Sequence, residues 1–116
     1  MKLFDTNIVI QELKNGEYQH GEISVLTLIE ILRGVPEEKR DSLKENLEEL
    51  YIIQSISNPV ILEYCRLYSS LKDEGKILPD ADLIIAATAL TESIVLVSKD
   101  PDFEKIQKYG LTLNSE

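Results

Sequence analysis

Short apolar runs alternate along the chain with longer segments whose apolar residues recur at helical spacing. β-Branched and aromatic enrichment beside turn residues predicts strands over Lys2–Phe4, Glu22–Val25, Tyr51–Gln54, Ile94–Val97 and Leu111–Leu113. Helices are predicted over Thr6–Asn15, Thr27–Leu32, Pro36–Leu50, Asn58–Lys72, Ala81–Glu92 and Pro101–Tyr109. Leu43, Leu47 and Leu50 repeat at i, i+4 and i+7, as do Ile61, Cys65 and Tyr68, and both stripes read as core-facing. DLIIAATAL at 82–90 is apolar all round, so its helix is expected at the centre of the fold. Strand and helix alternation predicts an α/β domain with a mainly parallel sheet flanked by helices. Ligands in such sheets bind beyond the carboxyl ends of the strands, so the residues following each strand are the ones to inspect.

At 116 residues the chain has room for one core, and residues 1–116 are read as one domain. Hydrophobic residues at 43% and charged residues at 28% match ordinary globular proteins. The net charge of -9 is shared by both halves, with 6 basic and 11 acidic residues in 1–58 and 6 and 10 in 59–116. Without a basic patch the chain cannot hold nucleic acid by phosphate neutralisation alone, so a phosphate substrate requires a cation. One cysteine, Cys65, and one histidine, His20, leave little for thiol, disulfide or zinc chemistry. The opening residues resemble no secretory leader and no apolar run approaches the ~18 residues of a membrane span. The expected compartment is the cytoplasm. Oxygen chemistry remains, from seven Asp, fourteen Glu and hydroxyls.

Four acidic loci follow different predicted strands. Asp5 sits among apolar neighbours in LFDTNIVI, where it reads as the N-cap of the next helix or as a cation ligand. Glu30 shares a helical face with Leu26, so it points inward or pairs with Arg33 three residues on. In LPDADL, Asp80 has the position of an N-cap, whereas Asp82 opens a helix with almost no exposed face. Asp100 before Pro101 has the signature of an N-cap, compatible with turning its second oxygen to a cation, while Asp102 is expected to be solvated. Clustered carboxylates raise one another's pKa unless a cation neutralises them, and an all-oxygen site suits Mg²⁺ or Mn²⁺. The matching reaction class is phosphodiester hydrolysis.

The order DTN at 5–7, SVLTLIEILRG at 24–34, DLIIAATAL at 82–90 and SKDPDF at 98–103 resembles the PIN-domain ribonucleases, in particular the VapC-type toxins of toxin-antitoxin pairs. The resemblance spans nearly the whole chain and implies a single PIN-like domain that hydrolyses RNA with Mg²⁺ or Mn²⁺. It places the family's acidic quartet on Asp5, Glu30, Asp82 and Asp100. Thr6, Asn7 and Ser98 match accessory polar positions, and Asp80 and Asp102 match positions that are often acidic without being core ligands. The resemblance further implies a homodimer and a small antitoxin whose tail occupies the acidic site. Only 24 residues separate Asp5 from Glu30, so the helical hairpin usual in that segment is shortened here, and Ser98 stands where Thr is more common.

RNA binding by so acidic a chain is expected to be weak and cation-assisted, with local help from Lys2, Lys14, Arg33 and Lys99. Aspartyl phosphatase chemistry is disfavoured because Asn7 breaks the D-x-D pattern. A phospho-accepting signalling domain is disfavoured because YIIQSISNP offers no Asp at the end of its strand. The remaining alternatives are a non-catalytic PIN-fold interaction module and an RNA-processing nuclease without an antitoxin.

Overall fold

In the computed structural model, which describes residues 1–115, the chain winds outward from one strand and then returns to that strand's other side. The strands are β1 (Lys2–Phe4), β2 (Gly21–Ser24), β3 (Tyr51–Gln54), β4 (Val95–Val97) and β5 (Leu113–Asn114). All pair in parallel, in the order β3-β2-β1-β4-β5. The crossovers are α1 (Thr6–Asn15), α2 (Val25–Arg33), α3 (Glu37–Leu50), α4 (Asn58–Asp73), α5 (Asp80–Glu92) and a 3₁₀ segment at Pro101–Tyr109. This is the parallel α/β domain expected from the sequence. The predicted domain end at Glu116 lies outside the described residues. Among the described residues no helix is long and apolar enough to cross a membrane.

Alternation along the central strands builds two cores. Leu3 and Leu96 join α4, α5 and the 3₁₀ segment on one face, whereas Phe4 and Val97 join α1, α2 and α3 on the other. As expected of a helix apolar all round, α5 buries Leu83 and an unbroken run from Ile85 to Ala89. Strand order reverses between β1 and β4, and that switch point is where open parallel sheets leave a crevice at their carboxyl edge.

Several predicted boundaries move for identifiable reasons. β2 begins at Gly21, one residue early, because that glycine lies against the Phe4 ring and only 2.8 Å would separate an added Cβ from the Lys2 carbonyl. Val25 belongs to α2 and not to β2, since Ser24 caps the helix by accepting the Leu26 N–H at 3.1 Å. Asp80 is no N-cap. Pro79 holds that position without a side-chain cap, and Asp80 accepts the Tyr64 hydroxyl at 2.6 Å instead. The last helix is 3₁₀ and not α. Gly110 then turns the chain at φ 106°, so Leu111 packs into the core and the strand forms later, at Leu113.

The main correction concerns α4. Its buried residues are Val60, Leu67 and Leu71, whereas Ile61, Cys65 and Tyr68, expected in the core, face outward. Ile61 is 46% exposed, Tyr68 47% and neighbouring Leu62 71%. The helix carries two adjacent apolar stripes, and only one of them meets α5.

Candidate active site

β1 ends at Phe4, and Asp5 turns the chain into α1 with its Oδ1 accepting the Thr6 N–H at 2.8 Å. The capping role expected of Asp5 is therefore real, yet it occupies one oxygen only. Oδ2 accepts the buried Ser98 hydroxyl at 2.7 Å, and the Asp5 N–H donates to the Val97 carbonyl at 3.0 Å. Ser98 in turn accepts the Asp100 N–H at 3.0 Å, so one hydroxyl ties the ends of β1 and β4 together.

Asp100 caps the 3₁₀ segment as predicted, its Oδ1 accepting the Asp102 N–H at 2.9 Å. The tight turn swings Asp102 back toward the site. Asp82, Asp100 and Asp102 each present a carboxylate oxygen, and the three oxygens lie within 4.8 Å of one another. Asp102 keeps a side chain 41% exposed, as expected of a solvated acid, and meets Lys105 at 3.3 Å, yet it also belongs to this group. Asp82 itself makes no side-chain hydrogen bond to any described residue. Burial, then the charges of Asp100, Asp5, Asp102 and Glu30, push its carboxyl up to about 6. Asp5 is also raised, first by burial and then by Asp100 and Glu30, against the hydrogen bonds from Ser98 and Thr6.

Glu30 points inward from α2, as one of its two readings predicted. Its Oε1 accepts the Thr6 hydroxyl at 2.8 Å, while Arg33 stands 3.9 Å from Oε2. Behind Thr6 lies Thr27, fully buried, with its hydroxyl 3.0 Å from that of Thr6. A hydroxyl has one hydrogen and an ionised Glu30 only accepts, so Thr6 donates to Glu30 and Thr27 donates to Thr6. Sequence reasoning overlooked Thr27, although its i, i+3 spacing from Glu30 puts both on one face of α2.

The structure thus brings Asp82, Asp100 and Asp102 into one group, with Asp5 and Glu30 near enough to raise the Asp82 pKa. Asp80 stays outside, held by Tyr64, and Asn7 is exposed on α1 without a side-chain partner among the described residues. A trio of carboxylate oxygens, of which only Asp102 is paired with a cationic side chain among the described residues, is the donor set of a hard divalent ion.

Comparisons with known proteins match the chain to a family and a fold. The family described as PIN domain matches residues 2–109. Ribonuclease VapC1 of Methanocaldococcus jannaschii is 33% identical over 115 residues, covering 96% of this chain and 85% of the relative. The fold is shared with VapBC-1 from nontypeable Haemophilus influenzae, at a TM-score of 0.82 and 24% identity over 97% of this chain and 96% of that one. It is shared too with DNA-bound VapBC from Salmonella typhimurium, at 0.83 and 20% identity over the same shares.

Proposed function

The chain belongs to the PIN-domain family, in its VapC ribonuclease branch, and on that premise we propose that it is a metal-dependent endoribonuclease acting as the toxin of a toxin-antitoxin pair. The observation that carries this reading is Asp82: a half-buried carboxylate with no hydrogen-bond donor among the described residues, facing four other acids. Such a group costs folding free energy unless a cation compensates it.

Asp82, Asp100 and Asp102 would hold the Mg²⁺ or Mn²⁺ ion, with Asp5 and Glu30 completing the acidic rim. When bound, such an ion lowers the pKa of a water and offsets the charge that builds on the scissile phosphate. The protein's own part is positioning. Ser98 and the Thr6 N–H fix both Asp5 oxygens, and the Asp102 N–H fixes one oxygen of Asp100 and leaves the other open. The chain from Thr27 through Thr6 aims Glu30. Two threonines and a serine thereby pre-orient three of the acids at the switch point, which is the condition for a site that does not reorganise during reaction.

The outward stripe of α4 supports a homodimer, since Ile61, Leu62 and Tyr68 leave apolar side chains exposed along one helix. An antitoxin bringing a basic side chain to the acidic site would neutralise it as a cation does.

Incubating purified protein with mixed-sequence single-stranded RNA tests the proposal. Cleavage that needs Mg²⁺ or Mn²⁺ and stops with chelator is expected. Cleavage that survives chelation contradicts the metal reading, and no cleavage of any RNA points to a non-catalytic module.

A further inference from the structure

A cavity of about 200 Å³ opens beside α1, floored by Ile8 and Val97 and walled by Gln11, Asn15 and Lys99. We infer that this cleft is a nucleobase subsite, which reads one base of the RNA strand leading away from the acidic cluster. The inference rests on the nuclease reading above and deepens it by naming what selects the substrate.

Asn7, Gln11 and Asn15 recur at i, i+4 and i+8, so they form one row on α1. The row starts two residues from Asp5 and runs about 6 Å and then about 12 Å along the helix axis. Each carboxamide offers donors and an acceptor, the complement of a base edge. None of the three makes a side-chain hydrogen bond to a described residue, and Lys99, beside Asp100, makes no ion pair with one. Their polar groups are available to a ligand.

The back wall is fixed by the fold. Glu12 accepts the Gln19 side chain at 2.7 Å with one oxygen and the Tyr51 hydroxyl at 3.3 Å with the other, which anchors it to β3. Glu12 and Glu17 both line the cleft and repel a phosphate, while the edge of Ile8 adds a small apolar surface at its base. The volume is below the ~300–1,000 Å³ of pockets that enclose whole drug-sized ligands, which suits a single base and excludes a folded oligonucleotide. Net charge gives an independent reason. A chain at -9 gains little from phosphate contacts beyond those of a bound cation, so discrimination between RNA strands falls to hydrogen bonds with bases, with Lys99 the cation that lines the cleft among the described residues.

The test uses Asp82→Asn protein, so that RNA is not consumed, and the four labelled homopolymeric ribo-octamers as probes, with binding followed by fluorescence anisotropy. One homopolymer should bind about 10-fold tighter than the weakest. Adding Gln11→Ala and Asn15→Ala should reduce that spread to about 2-fold, with unchanged melting because both residues are exposed. Lys99→Ala should weaken all four about equally and lower the salt dependence by about one ion. The conservative pair Gln11→Glu and Asn15→Asp should change which homopolymer is preferred. Equal binding of the four octamers, or a spread that survives the double alanine change, overturns the subsite. Metal-dependent cleavage by the parent with a base preference indifferent to these changes defeats the subsite and leaves the nuclease reading intact. A spread erased by the double change in a protein whose parent cleaves nothing defeats the nuclease reading and keeps the subsite.

Discussion

Ser98 and Asp5 lie 93 positions apart in sequence and 2.7 Å apart in space, joined by a buried hydrogen bond across the point where the strand order reverses. The same hydroxyl accepts the Asp100 N–H, so one side chain sets the spacing of two of the acids. Ser98→Ala removes both bonds inside a buried site. A loss of about 1–3 kcal/mol in unfolding free energy is expected, together with impaired cleavage, while Ser98→Thr should keep both within a factor of a few. Urea denaturation and single-turnover cleavage check this. An alanine variant as stable and active as the parent would remove Ser98 from the account.

The strain at Asp82 predicts an unusual gain from a lost charge. In chelator, Asp82→Asn should melt above the parent, because it removes a half-buried anion facing Asp100, Asp5, Asp102 and Glu30. Adding Mn²⁺ at about 100 times its dissociation constant should stabilise the parent by about 2.7 kcal/mol and the Asn variant far less. A parent indifferent to Mn²⁺, with a destabilised Asn variant, would mean that these acids are helix caps and nothing more.

The pH dependence follows in sign from the same group. The Asp82 carboxyl is raised from 3.8 to about 6 in the folded chain, so the unfolded chain loses its proton first as pH climbs. Metal-free stability should therefore fall between about pH 4 and pH 6 and then level off as far as Asp82 is concerned. Raised Asp5 acts in the same direction. A cation competes with the proton on Asp82, so Mn²⁺ affinity measured by calorimetry should weaken as pH drops through about 6. Affinity that is flat from pH 5 to pH 7.5 would show that Asp82 is not a ligand.

The two stripes of α4 are separable by mutation. Leu67→Ala should cost about 2–5 kcal/mol, since its side chain is buried against α5. Leu62→Glu should change monomer stability by about 0.5 kcal/mol or less and convert a dimer to monomer in sedimentation. A Leu62→Glu protein that sediments like the parent would place the dimer contact elsewhere or remove it.

Much of this was legible in the chain because local chemistry and fold agree. Asp5 and Asp100 each sit at a strand end before a helix, where capping and site-building call for the same residue type, and so the two loci were found by either argument. The failures are places where a local signal was ambiguous and a distant contact decided. The strand predicted from Glu22 omits Gly21, whose place in β2 shows only once the Phe4 ring is set beside it. The apolar residues of α4 recur on two adjacent faces, and periodicity cannot say which one meets α5. Asp80 has the spacing of a cap, but Pro79 takes the position and Tyr64 takes the carboxylate. Asp102 reads as solvated in a first helical turn and remains partly exposed, but the 3₁₀ turn also brings it to Asp82 and Asp100, which its sequence position does not show. Thr27 is silent in sequence because its role passes through Thr6, 21 positions away.

If acids from separate crossovers make one cation site, an ion can be located among them. Crystals grown with Mn²⁺ and measured at a wavelength where manganese scatters anomalously should show a peak between the carboxylates of Asp82, Asp100 and Asp102, absent from crystals of the Asp82→Asn variant. No peak at saturating Mn²⁺, or one bound away from these three residues, would mean that these acids do not form a cation site.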